Sequence, residues 1–321
     1  MKVTAVAESF RLAQAFVIAR GARTQVEVVR VCAHADGCMG QAECVPYARY
    51  GESVASVLAQ IEQLPARFDR SSLAELLPAG AARNAVDCAF WDLTAKQKGQ
   101  PVWQLAGLPE PQPQTTAYTL SLDSPERMFA MAQREAQRPL LKIKLGTPDD
   151  LPRLQAVRAG APDSTLIIDA NEGWSATQYE QLLPDLVALS VSMIEQPLPA
   201  SDDAVLQALP RPITLCADES CHDRASLPSL VERYDMINIK LDKTGGLTEA
   251  LALRRAAESL GLRIMVGCML GSSLAMAPAV LLAQGAEVID LDGPLLLAED
   301  RTPSLFYDAA GVHPPERVLW G

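Results

Sequence analysis

From about residue 115 the chain repeats one pattern, a short apolar run followed by a stretch of helical spacing. The runs are TTAYTL (115–120), LLKIKL (140–145), TLIIDA (165–170), SMIEQP (192–197), ITLCADES (213–220), MINIKL (236–241), RIMVGC (263–268) and VIDLDG (288–293). Between them lie helical stretches such as SPERMFAMAQREAQ, TQYEQLLPDLVALS and GLTEALALRRAAESLG. Near-continuous apolar runs alternating with helices predict buried parallel strands joined by helical crossovers. Eight such strands predict a (β/α)8-type barrel, in which functional groups gather at the C-terminal strand ends.

The first part of the chain reads differently. Strand-like segments (TAVAESFRLA, TQVEVVRVCA and the stretch 40–43) lead into helical ones, SVASVLAQIEQL and AARNAVDCAFWDLTAKQKG. In the latter, Ala85, Cys88, Ala89, Leu93 and Ala95 mostly keep helical spacing, and Gly99 and Pro101 mark its end. Residues 1–112 are expected to form an α+β domain, with the Pro-rich GLPEPQPQ (107–114) as linker. The barrel would occupy 113–298, and the tail 299–321 would pack back on the first domain.

Composition narrows the class. The 321 residues are 49% hydrophobic and 21% charged, as in an ordinary globular enzyme. A net charge of −11 with scattered Lys and Arg argues against nucleic acid or an anionic membrane as partner. The N-terminus has no apolar core of a signal peptide, and no run approaches the length of a membrane span. Seven cysteines without a CxxC pair point to a reduced, cytoplasmic protein.

The charges that close the runs carry the chemistry. Asp169, Glu195 and Asp218 end three consecutive strands. Adjacent strands lie about 5 Å apart, so the three carboxylates converge on a volume the size of a cation. Such a cluster calls for a hard dication, and Mg2+ accepts oxygen ligands while leaving places for substrate. Singly, each carboxylate could cap a helix; three in succession are better read as a metal site. Lys144 ends the second strand and Lys240 the sixth. Strands four apart face each other across a barrel, so the two amines approach one substrate from opposite sides, as a 1,1-proton transfer requires. Lys142 shares the face of Lys144 and can supply positive charge to a substrate carboxylate. Asp290 and Asp292 close the eighth run, away from the metal, where they suit a substrate ammonium or the capping of the closing loop. The three histidines, His34, His222 and His313, miss the seventh strand, so the base pair is Lys–Lys and not Lys–His. Gly245 and Gly246 could cradle an anion at the next helix N-terminus or simply form a turn.

Those residues sit in text that resembles the enolase superfamily, in its muconate lactonizing enzyme subgroup, and within it the dipeptide epimerases. The resemblance runs through FVIARG, QAECVPYARYGES, PAGAARNAVDCAFWDL, LLKIKL, IIDANEGW, IEQPLPA, CADESCH, INIKLDKTGGLTEALAL, GCML and DLDGP. It implies a modified (β/α)7β TIM-like barrel closed by an N-terminal α+β capping domain. It also implies one Mg2+ on Asp169, Glu195 and Asp218, with Lys144 and Lys240 as acid/base pair. Asp290 and Asp292 would hold the ammonium of an N-terminal L-alanine, Thr119 would touch the substrate, and Arg20 or Arg23 would meet the glutamate side-chain carboxylate. The implied reaction interconverts L-Ala-D-Glu and L-Ala-L-Glu through an enediolate, in murein peptide degradation. Homo-oligomers are compatible with this fold. The rivals are another dipeptide specificity, N-acylamino acid racemisation, o-succinylbenzoate synthesis or muconate cycloisomerisation on the same scaffold, and a metal-dependent peptide-binding module without chemistry. The missing strand-7 histidine disfavours an acid-sugar dehydratase.

Overall fold

A computed structural model describes residues 2–321. The first domain is an antiparallel sheet of β1 (Lys2–Ile18), β2 (Gly21–Ala35) and β3 (Cys38–Cys44) in sequence order. Its strands are longer than the apolar runs suggested, because most of β1 is only partly covered and alternates weakly. The Val54–Glu62 helix starts on a capping box between Ser53 and Ser56. The Ala81–Lys98 helix stops at Gly99, whose φ of 65° few other residues adopt. Thirteen residues of that helix are buried, far more than one face, because it is held between the sheet and the barrel. The approach to β3 is close: a Cβ on Gly40 would sit 2.2 Å from the Ala89 carbonyl oxygen.

Eight parallel strands follow: β4 (Tyr118–Leu120), β5 (Leu140–Lys144), β6 (Thr165–Asp169), β7 (Val191–Glu195), β8 (Thr214–Ala217), β9 (Met236–Ile239), β10 (Arg263–Gly267) and β11 (Val288–Asp290). They pair in chain order from β4 to β11, giving a near-closed barrel. Among the described residues no ladder joins β11 to β4. Single bonds close that seam, from Ala117 N to the Ile289 carbonyl (2.8 Å) and from Leu291 N to Thr116 Oγ1 (2.8 Å). Ala117, Ile167, Met193, Cys216, Met236 and Met265 pack as one cluster inside the barrel. Full helices follow β4, β5, β6, β9 and β10, whereas β7 and β8 are followed by short helical turns. No helix among the described residues is long and apolar enough to cross a membrane.

The tail reaches both units. Trp320 Nε1 donates to the Cys88 carbonyl (3.1 Å), and Gly321 N to Asp92 (2.8 Å). Arg301 bridges Glu8 and Glu43 of the capping sheet, while the Asp300 carboxylate accepts from Ser273 N on the barrel (3.0 Å).

Asp242, two residues after Lys240, ties barrel to cap by accepting from Val45 N (3.0 Å) and Asn84 Nδ2 (2.8 Å). Full burial pushes its carboxyl pKa up to about 7, despite those two hydrogen bonds. A raised folded-state pKa means stability present below the unfolded value, near 4, and lost as pH rises through about 7. Asp242→Asn keeps an acceptor for Val45 and removes the charge. The variant is expected to gain on the order of 2 kcal/mol over the parent between pH 5 and pH 8. Thermal melts of both proteins at the two pH values measure this, and a gap that does not widen with pH contradicts it.

Candidate active site

The strand alternation of β5 turns Lys142 and Lys144 into the barrel and Ile143 out into the surrounding core. In register, Lys144 pairs with Asp169, and Asp169 with Glu195, which places the three side chains at one level. Asp218 lies one residue past β8, and Lys240 one past β9, immediately before a helical turn (Leu241–Thr244). One carboxylate oxygen from each of Asp169, Glu195 and Asp218 lies within 4.8 Å of the others, all three buried.

Ammonium groups lie against that cluster. Lys144 Nζ lies 2.6 Å from Asp169, Lys240 Nζ 2.6 Å from Asp218 Oδ2, and Lys142 Nζ 2.6 Å from both Glu195 and Asp290. Burial alone would lower the pKa of Lys142, but Asp290, Glu195 and Asp169 outweigh it and hold it well above the ordinary lysine value. Lys240 is raised likewise against its burial, chiefly by Asp218. Asp218 goes well below the usual range, because Lys240 and Lys243 overcome its desolvation. Glu195 is pushed up to about 7 by burial and by the charge of Asp169. Its Oε2 pairs with the Lys142 ammonium at 2.6 Å but takes no other donor. An oxygen in that state, facing two further carboxylates, fits a hard dication.

Several supporting residues had no signal in the apolar pattern. Lys243 is fully buried and donates to Asp218 Oδ1 (2.6 Å) and the Asn238 carbonyl (3.0 Å). Asn238 Nδ2 donates to Glu195 Oε1 (2.7 Å), in space kept by Gly267, where a Cβ would come within 2.6 Å of the amide. Gln196 Oε1 accepts from the backbone of Asp218 (2.9 Å) and Ser220 (3.1 Å). Asn171, Glu172 and Gln196 all have positive φ, strain held just beyond β6 and β7. The spacing of Lys243, three residues after Lys240, was the only hint available in the sequence.

Asp290 ends β11, but Asp292 lies beyond it, where the chain turns into a short 3-10 helix. Strand alternation therefore does not explain their common face; the turn does. Asp292 accepts from Thr119 N (2.6 Å), and burial and Asp290 push its carboxyl up to about 7. Asp290 Oδ1 is buried without a hydrogen-bond partner. Both aspartates, Thr119, Asp218 and all three strand-end lysines line one cavity of about 450 Å3, within the range of small-molecule sites. No histidine lines it among the described residues: His222 packs its ring edge on Tyr50, and His313 meets Asp308. The N-terminus of the Leu247–Ser259 helix already has its anion, since Asp87 accepts from Thr248 N (2.9 Å).

The hairpin between β1 and β2 lines the cavity and carries both candidate arginines. Arg20 is committed to the protein, bonding the Asn171 carbonyl (2.6 Å), Glu219 (2.8 Å) and Glu172 (3.2 Å). Arg23 is exposed, and its guanidinium lies 5.3 Å over the Tyr47 ring.

Comparison with known proteins agrees with this geometry. Residues 1–107 match the mandelate racemase/muconate lactonizing enzyme N-terminal domain, and residues 127–313 the enolase C-terminal domain-like family. The L-Ala-D/L-Glu epimerase of Escherichia coli K12 is 46% identical over 312 residues, 95% of this chain and 97% of that protein. An N-acetyl-D-glutamate racemase from Pseudoalteromonas is 47% identical over 288 residues, 88% of this chain and 91% of its own. A crystal structure from Agrobacterium tumefaciens superposes with a TM-score of 0.97 at 53% identity, covering 99% of both chains. It is an enolase family member with homology to dipeptide epimerases, with sodium and L-Ala-L-Glu bound. The chain belongs to the mandelate racemase/muconate lactonizing enzyme family of the enolase superfamily.

Proposed function

We propose that the chain is an Mg2+-dependent dipeptide epimerase that interconverts L-Ala-D-Glu and L-Ala-L-Glu. One observation carries the reading: Asp290 and Asp292 border the same cavity as the three lysines and Asp218 of the carboxylate triad, and Asp290 keeps a buried oxygen unpartnered. A carboxylate pair beside a two-lysine site suits a substrate with a free ammonium close to the carbon being inverted.

Asp169, Glu195 and Asp218 would hold the cation. When bound, it would supply positive charge for the substrate carboxylate and offset the Asp218 charge that raises Lys240, while Asp290 goes on holding the proton on Lys142. Lys144 and Lys240 are the acid/base pair, one removing the α-proton and the other returning a proton to the opposite face. Lys142 stays an ammonium and stabilises charge on the carboxylate oxygens as the proton leaves. Thr119, through its N–H, holds Asp292 toward the ammonium. We place the reaction in murein peptide degradation in the cytoplasm, on the family resemblance together with seven unpaired cysteines.

Between the two arginines, Arg23 is assigned to the glutamate side chain, because Arg20 already has its carboxylates. Arg23→Ala is expected to cut kcat/KM for L-Ala-L-Glu about tenfold, mainly through KM, and to leave L-Ala-L-Gln nearly unchanged. Steady-state kinetics on both dipeptides check this, and equal losses on the two would remove the assignment.

The founding test is proton NMR of L-Ala-L-Glu with protein and Mg2+ in D2O. Loss of the Glu α-proton with growth of the L-Ala-D-Glu signals is expected. Binding by calorimetry without exchange or inversion would instead favour a peptide-binding module. The identity to an N-acetyl-D-glutamate racemase supports a second reading, N-acylglutamate racemisation by the same lysines, in which the two aspartates meet no ammonium.

A further inference from the structure

The three carboxylates of the triad divide their oxygens in the same way. Asp169 Oδ1 accepts from Asn171 N (2.9 Å), Glu195 Oε1 from Asn238 Nδ2 (2.7 Å) and Asp218 Oδ1 from Lys243 Nζ (2.6 Å). The other oxygen of each, Asp169 Oδ2, Glu195 Oε2 and Asp218 Oδ2, meets ammonium groups of Lys142, Lys144 or Lys240. Those three lysines line the cavity; Asn238 and Lys243 do not, and both are buried. The inner donors are also pinned. Asn171 N–H belongs to backbone at a φ of 46°, and the Asn238 amide fills the space that Gly267 leaves. Lys243 spends all three protons, on Asp218 Oδ1, the Asp218 carbonyl and the Asn238 carbonyl (3.0 Å).

We propose that these inner donors hold each carboxylate to one free oxygen and so select Mg2+ over the larger Ca2+, with Asn238 and Lys243 as the positioning residues. The inference rests on the triad as the Mg2+ site and not on which dipeptide is turned over. Mg2+ is octahedral with oxygens at about 2.0–2.1 Å and keeps several waters, so three single oxygens with open places suit it. Ca2+ takes about six to eight oxygens at roughly 2.3–2.6 Å and readily draws both oxygens of a carboxylate. Here the second oxygen can join such a contact only by giving up its buried donor. The donor left behind then has no water to turn to, which costs free energy. That loss falls on Ca2+ and spares Mg2+.

Calorimetric titration of the substrate-free protein with MgCl2 and with CaCl2 tests this in the parent, Asn238→Ala and Lys243→Met. The parent is expected to bind Mg2+ at least as tightly as Ca2+. Each variant frees one oxygen, on Glu195 or on Asp218. Each is expected to shift the ratio of the two Kd values toward Ca2+ by about tenfold, the scale of losing an outer partner of a metal ligand. Lys243→Met also removes a charge and should tighten both ions, so the ratio and not either Kd is the readout. Asn238→Ala changes no charge and should shift the ratio alike. A merely structural role would weaken both ions together. Where thermal melts show one variant unfolded, the other variant and the parent's own preference decide. A parent that prefers Ca2+, or folded variants that keep the parent's ratio, would overturn the selection and leave the triad a cation site. No binding of either ion by the parent would overturn the triad as a cation site and the inference with it.

Discussion

Lys144→Ala and Lys240→Ala are each expected to lower epimerisation by about 10²–10⁴-fold, the usual contribution of a positioned acid or base. The more informative result is what each variant keeps. The two amines come from β5 and from the residue after β9, four strands apart, and pair with different carboxylates, Asp169 and Asp218. Each therefore reaches one face of a substrate carbon held over the triad. With Lys240 gone, Lys144 can still take the α-proton from the epimer that faces it and return a deuteron to the same side. One epimer then exchanges with retention in D2O while the other is inert, and Lys144→Ala shows the opposite preference. Lys142→Met should silence both faces, since its fully buried ammonium serves the carboxylate and not one proton. Exchange of both epimers in either alanine variant would sink the one-lysine-per-face assignment.

The barrel was legible because its strands are buried on both faces and read as apolar runs of the right length, six of the eight with a charge near the point where the run stops. Lys144, Asp169 and Glu195 are final strand residues, so the pattern located them directly. Asp218, Lys240 and Asp292 lie one or two residues past their strands, and the runs absorbed them because nothing apolar marks where extended backbone gives way to a turn. The supporting layer was hidden for another reason. Asn238 sits inside an apolar run, and Gln196 and Lys243 are polar residues that bond to metal-ligand candidates rather than to water; composition does not distinguish the two fates. The arginine register was hidden by geometry. Pairing of β1 with β2 shifts between Arg11 and Phe16, so alternation counted from either end disagrees at the hairpin tip. Only contacts separate Arg20, enclosed by Glu172 and Glu219, from Arg23.

Asp290→Asn with Asp292→Asn is expected to lower kcat/KM for L-Ala-L-Glu by about 10²–10⁴-fold, the loss of two charge-assisted hydrogen bonds. The fold should survive. The amide oxygen introduced by Asp292→Asn can still accept from Thr119 N, and Lys142 keeps Glu195 and Asp169. N-Acetylglutamate has no ammonium to lose, so any turnover of it by the parent should persist or rise once two negative charges are removed. The comparison thus separates the two readings that relatives of nearly equal identity leave side by side. The pH dependence adds a second discriminant. Burial and the neighbouring Asp290 push the Asp292 carboxyl up to about 7, so a growing fraction is protonated as pH falls through that value. A protonated acid holds an ammonium poorly, and KM for the dipeptide should climb below pH 7. Asp292→Asn resembles the protonated acid at every pH, so it should start from the higher KM and lose that rise. Dipeptide turnover within tenfold of the parent in the double variant would instead mean that the aspartates serve the closing turn, and that the substrate's amino end lies elsewhere.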